Sequence, residues 1–142
     1  MHIKEQYIHS DITSEILNIA FEVHKAIGPG FVESAYQKAM LVECNLRKVE
    51  ADSEIQLPIF YKNVLVGSRR ADLLIKQKVI IELKAVIELN DVHLAQAINY
   101  LEAFNLEVGL LINFGSKSLQ YKRLIHPKLL NQKNQVIRSS WQ

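Results

Sequence analysis

Cysteine occurs once in the 142 residues, at Cys44, which excludes a disulfide framework and any multi-cysteine zinc site. Proline and glycine are sparse, three and five residues, and no stretch reads as a linker long enough to divide the chain. No apolar run approaches the ~20 residues needed to span a bilayer. In the C-terminal half the longest is "VGLLINF". The opening "MHIKEQYIHS" is charged and has no apolar stretch of the secretion-signal kind. Internal repeats are absent as well. These absences predict a cytoplasmic protein with no membrane partner, folded as one domain over 1–142, with a core at about 12–126. Acidic residues stop at Glu107, after which Lys117, Lys122, Arg123, Lys128, Lys133 and Arg138 follow. That segment carries +6 and the rest −4, summing to the net +2. A basic tail at 127–142 beside an acidic body fits either a polyanion partner with a cation site or plain solubility.

What remains is an ordinary globular composition, 49% apolar and 23% charged. Ser10 or Asp11 can cap a helix to about Ile27, with Ile12, Ile16, Ile19, Val23 and Ile27 at helical spacing. "GPG" at 28–30 ends it, and a second helix over roughly 31–47 puts Val32, Ala35, Ala39, Val42 and Leu46 on one face. Then the period falls to two. "SEIQLPIFY" alternates as a strand whose Pro58 suggests an edge; Lys62-Asn63 turns into "VLVGSRRADLLI", and "KQK" at 76–78 turns into "VIIELKA". Asn90 or Asp91 caps a third helix to about Phe104; "EVGLLINF" reads as a strand buried on both faces, and a last strand covers about 118–125. The order α-α-β-β-β-α-β-β predicts an α/β domain.

Three charges stand out among the aliphatics of "RRADLLIKQKVIIELKA": Asp72, Glu82 and Lys84. Glu82 and Lys84 share one strand face. A strand-end ion pair would account for those two alone. For Asp72 the turn decides. With a two-residue turn it faces away from Glu82; with a three-residue turn or a bulge the two carboxylates meet. Two desolvated carboxylates side by side need a cation, and oxygen ligands favour Mg²⁺ or Mn²⁺ over zinc. With Lys84 adjacent, the set suits hydrolysis of a phosphodiester by an activated water. On the third helix His93, Gln96 and Tyr100 line one side, where they could contact phosphate oxygens or simply face solvent. Glu33 and Tyr36 follow the glycine turn at i and i+3; a lone Glu there ordinarily serves the helix dipole.

"GFVESAY" at 30–36 reads G-x-x-E-x-x-Y, and with "EVHKAIGPG", "RRADLLI", "IELKA" and "LLINF" it resembles the GxxExxY proteins of the PD-(D/E)XK nuclease superfamily. The resemblance implies a restriction-endonuclease-like core, a mixed β-sheet flanked by helices. It implies that Asp72 and Glu82 bind Mg²⁺ or Mn²⁺, that Glu33 is the extra acidic residue, and that Lys84 is catalytic. "QAINY", Gln96 to Tyr100, is similar to the Q-x-x-x-Y element of RecB-like nucleases. Arg70, Tyr36 and His93 join Gln96 and Tyr100 as expected substrate contacts. The implied partner is nucleic acid, DNA rather than RNA, and the small size leaves room for a homodimer. Ala71 stands where the superfamily's name has proline. Two other readings stay open: a nucleic-acid-binding module without activity, and a protein-interaction domain.

Overall fold

A computed structural model describes residues 8–130. Helices α1 (Ser10–Ile27) and α2 (Glu33–Leu46) precede strands β1 (Ala51–Tyr61), β2 (Val64–Ile75) and β3 (Val79–Lys84). Then come α3 (Asp91–Ala103), β4 (Val108–Asn113), β5 (Gln120–Ile125) and the one-turn α4 (Pro127–Leu130). The expected element order holds, with α4 added. Beyond 130 the basic tail, including Lys133 and Arg138, lies outside the described residues.

The five strands form one sheet in chain order, antiparallel except for the β3–β4 pair. Parallel neighbours need a crossover, and α3 supplies it. One sheet face packs on α1 and α2 through Leu73, Ile75, Ile81, Leu83, Leu110 and Ile112. The other packs on α3 through Ala71, Ile80 and Leu111. β3 and β4 are therefore covered on both sides, which is why they read as unbroken apolar runs.

The α1 stripe is as expected through Val23, but Ile27, at the helix end, is 38% exposed. α2 keeps only Ala39 of the expected face against the core. Its core line is Tyr36, Met40 and Cys44, whereas Val32, Val42 and Leu46 are at least 60% exposed. The reason is an anchor that periodicity does not reveal. Tyr36 stacks on Phe114 with ring centroids 4.6 Å apart, and its hydroxyl donates to the Gly28 carbonyl at 2.6 Å. This pins the rotation of the helix.

Two hairpins set the register of the sheet. Lys62 and Asn63 both take positive φ between the paired Tyr61 and Val64, a two-residue turn as expected. The second turn has three residues. Ile75 pairs with Val79, Lys76 and Gln77 take positive φ, and the Lys78 N–H returns to the Ile75 carbonyl at 2.9 Å. Lys78 is thus the odd residue. One rung beyond the Leu73–Ile81 pair, the register brings Asp72 level with Glu82.

β2 also changes face along its length. Ala71 packs with α3, yet Leu73, two residues on, packs with α1 and α2. Strict alternation would put both on one side. The break falls at Asp72, opposite Glu54, which adopts a left-handed φ of 53° inside β1. Before the break, β1 and β2 leave the sheet as a two-stranded ribbon, with β2 paired to β3 only over Leu73–Ile75.

Candidate active site

The site forms where β2 parts from β3. Past Leu73 no β2–β3 backbone pair remains, and the Asp72 side chain takes the place of one: its Oδ2 accepts the Leu83 N–H at 2.8 Å. The Asp72 carbonyl is held from the other side by Gln37 Nε2 at 3.1 Å. Asp72 is thereby fixed at both its backbone and its carboxylate.

Glu82 is 6% exposed, and its Oε1 is buried with no hydrogen-bond partner. Burial, then the charge of Asp72, push its carboxyl up to about 9. Asp72 is also raised, mainly by burial and then by Glu33, against the lowering pull of the Leu83 N–H and Lys84. The Tyr100 phenol is raised by burial and by the charge of Glu82. These shifts mark a place where negative charge is concentrated and poorly hydrated.

In front of Glu82 opens a cleft of about 240 Å³. Lys84 joins Glu82 from β3, Arg69 enters from β2, and His93, Gln96, Asn99 and Tyr100 line it from α3. The stripe of α3 expected from spacing therefore faces the same space as Glu82 and Lys84. His93 has a second task there. Its Nδ1 accepts the Asn90 N–H at 3.2 Å while Asn90 Oδ1 accepts the His93 N–H at 3.0 Å, a reciprocal cap that starts α3.

Two expected substrate contacts lie outside the lining of this cleft. Arg70 is exposed and pairs with Glu54 at 3.1 Å, while Arg69 occupies the cleft with its guanidinium 5.8 Å from the centre of the Tyr100 ring. The face change at Asp72 is the cause, since unbroken alternation would have sent Arg70 inward. Tyr36 is fully buried, with its hydroxyl also accepting the Phe31 N–H at 3.3 Å. Its work is to close the glycine turn, where Gly28 and Gly30 take φ of 77° and 109°, and so to place Glu33 at the start of α2. Glu33 is exposed, and its charge reaches both Asp72 and Glu82. Among the described residues no three His, Cys, Asp or Glu side chains converge as a metal-holding group, so Glu33 stands apart from the pair.

Gln37, Arg69 and Asn99 were not evident from sequence. For Gln37 one signal existed: it lies one turn after Glu33, on the same helix face.

A family model for the PD-(D/E)XK nuclease superfamily matches residues 10–124. The chain belongs to that superfamily. Its mixed sheet flanked by helices is the restriction-endonuclease-like core that membership entails. The crystal structure of SSO0001 is 21% identical with a TM-score of 0.47, over 66% of this chain and 52% of its own. The chain thus spans about half the length of that protein. No curated protein matches. In this PD-(D/E)XK chain the residue before Asp72, Ala71, is fully buried against α3.

The donor set fits a hard divalent cation. Asp72 and Glu82 offer oxygen ligands, one buried oxygen lacks a partner, and burial together with mutual repulsion leaves the pair short of positive charge.

Proposed function

We propose that this PD-(D/E)XK chain is a metal-dependent nuclease that hydrolyses phosphodiester bonds of nucleic acid, DNA in the first instance, in the cytoplasm. Asp72 and Glu82 would hold Mg²⁺ or Mn²⁺, with Glu33 assisting from α2. Such an ion supplies Lewis acidity and offsets the charge of the two carboxylates. Lys84, on the same strand face as Glu82, holds the attacking water and balances charge gathering on the phosphoryl oxygens. Gln96 and Tyr100 orient those oxygens from α3, and Arg69 binds the adjoining phosphate. His93 keeps the first turn of α3 in place beside them.

One observation carries the reading: a buried Glu82 with an unpartnered carboxylate oxygen, level with Asp72, lines an open cleft beside Lys84. A register-fixing ion pair would leave no orphaned oxygen. The test is cleavage of end-labelled single- and double-stranded DNA with Mg²⁺, Mn²⁺ or EDTA. Cleavage should require the metal and vanish in Lys84→Ala and Asp72→Ala, and calorimetry should show metal binding lost in Asp72→Ala. Strand binding that ignores metal, with no cleavage, refutes the proposal.

A further inference from the structure

A second cleft, of about 420 Å³, lies between the β1–β2 ribbon and α3. Leu57, Ile59 and Phe60 of β1 form its apolar wall, and Asn99 and Glu102 of α3 face them. Arg69 and Asn99 line both clefts, so this one continues directly from the candidate active site. The face change at Asp72 creates it. Before the break the odd-numbered side chains of β2 turn toward α3, carrying Arg69 to the junction.

We infer that this second cleft is a subsite for one unpaired nucleobase flanking the phosphate to be cleaved; the inference rests on the nuclease reading. Charge argues for a base rather than backbone. Residues 55–67 hold a single charged side chain, Lys62, at the ribbon tip, and the far wall of the cleft carries the Glu102 carboxylate. A phosphodiester finds no lysine or arginine along those walls and is drawn instead to Arg69 at the mouth. An uncharged flat ring needs no such partner. Phe60, in the cleft wall and 60% exposed, is an aromatic ring of the kind any base can stack on. The Asn99 amide offers one donor group and one acceptor to a base edge. The volume is that of a small-ligand cleft, enough for a nucleobase. A base can enter only when it is out of a duplex stack. The substrate class that follows is a single strand, or a duplex end or flap with unpaired bases.

The experiment compares three fluorescent probes of about 12 nucleotides, within the usual range of single-strand sites. These are oligothymidylate, an abasic deoxyribose-phosphate strand of equal length, and a duplex, titrated by anisotropy with Ca²⁺ replacing Mg²⁺. The full chain should bind oligothymidylate at least about fivefold more tightly than either of the others, the effect of one stacked base. Phe60→Ala should remove most of that preference without changing affinity for the abasic strand, and Phe60→Trp should retain it. Equal binding of the abasic strand or the duplex overturns the inference, as does a preference that survives Phe60→Ala or binding to none of the probes. Hydrolysis of bis(4-nitrophenyl) phosphate, which has no flanking base, reports on the active site alone. If it is metal-dependent while strand preference is missing, the subsite fails and the nuclease reading stands. If it is missing too, and DNA is not cleaved, both fail.

Discussion

Replacing the ionisable Glu82 carboxyl with an amide, Glu82→Gln, should stabilise the metal-free protein, and more so as pH rises. In the folded chain the Glu82 carboxyl keeps its proton to about 9, whereas unfolded it ionises at its ordinary 4.5. Between those values unfolding releases a proton, so every rise in pH favours the unfolded state. Each unit of pKa difference corresponds to about 1.4 kcal/mol. Over pH 5 to 8 this gives an upper bound of about 4 kcal/mol, which relaxation and water entry reduce to about 2–3 kcal/mol. Against a typical domain stability of 5–15 kcal/mol that is a large loss. It corresponds to roughly 10 °C in Tm at this chain length. Asp72, also raised, adds in the same direction. Thermal melts and urea titrations in EDTA at pH 5, 6, 7 and 8 measure the effect. Wild type should lose stability across the series relative to Glu82→Gln, and Mg²⁺ should restore wild type at pH 8 but not the variant. Parallel pH profiles for the two proteins would refute the picture of a buried, unneutralised carboxyl.

Other substitutions test how the site is held. Tyr36→Phe keeps the stack on Phe114 but loses the hydroxyl bonds to Gly28 and Phe31; urea titration should show about 1–2 kcal/mol less stability. Gly115→Ala places a Cβ against the Val86 backbone, in the loop that Asn113 clamps to β4 through both the Val86 N–H and carbonyl at 2.9 Å. It should cost at least about 2 kcal/mol, and amide exchange should rise through residues 85–89. Deleting Lys78 forces a two-residue turn and slips Asp72 off Glu82. Calorimetry should then find no Mg²⁺ or Mn²⁺ binding, even in a preparation whose circular dichroism shows intact helices.

Much of the fold was legible because strong local signals agree with it: the glycine turn, the shift from helical to alternating period, the Asn90 cap and the unbroken apolar run of β4. The meeting of Asp72 and Glu82 could be framed from sequence as a choice of turn, but not chosen. That Lys76 and Gln77 would accept positive φ, in place of glycine or asparagine, is decided by the sheet around them. The misses share one origin in tertiary structure. Nothing in "SRRADLL" announces that alternation breaks at Asp72 and carries Arg69 rather than Arg70 into the cleft. At α2, Val32, Val42 and Leu46 are spaced for a core yet exposed, because the Tyr36 stack on Phe114 and its hydroxyl bond fix the helix rotation. Gln37 reaches a backbone carbonyl, a target that has no sequence signature.

The parting of β2 from β3 also has a mechanical side. Beyond Leu73 the ribbon has no ladder to the rest of the sheet, so load applied near Phe60 is met by the packing of Arg69 and Ala71 on α3 and then by Asp72. That residue is gripped by Gln37 on its carbonyl and by Leu83 on its carboxylate. The ribbon is thus joined along β2 to the residue that stands level with Glu82.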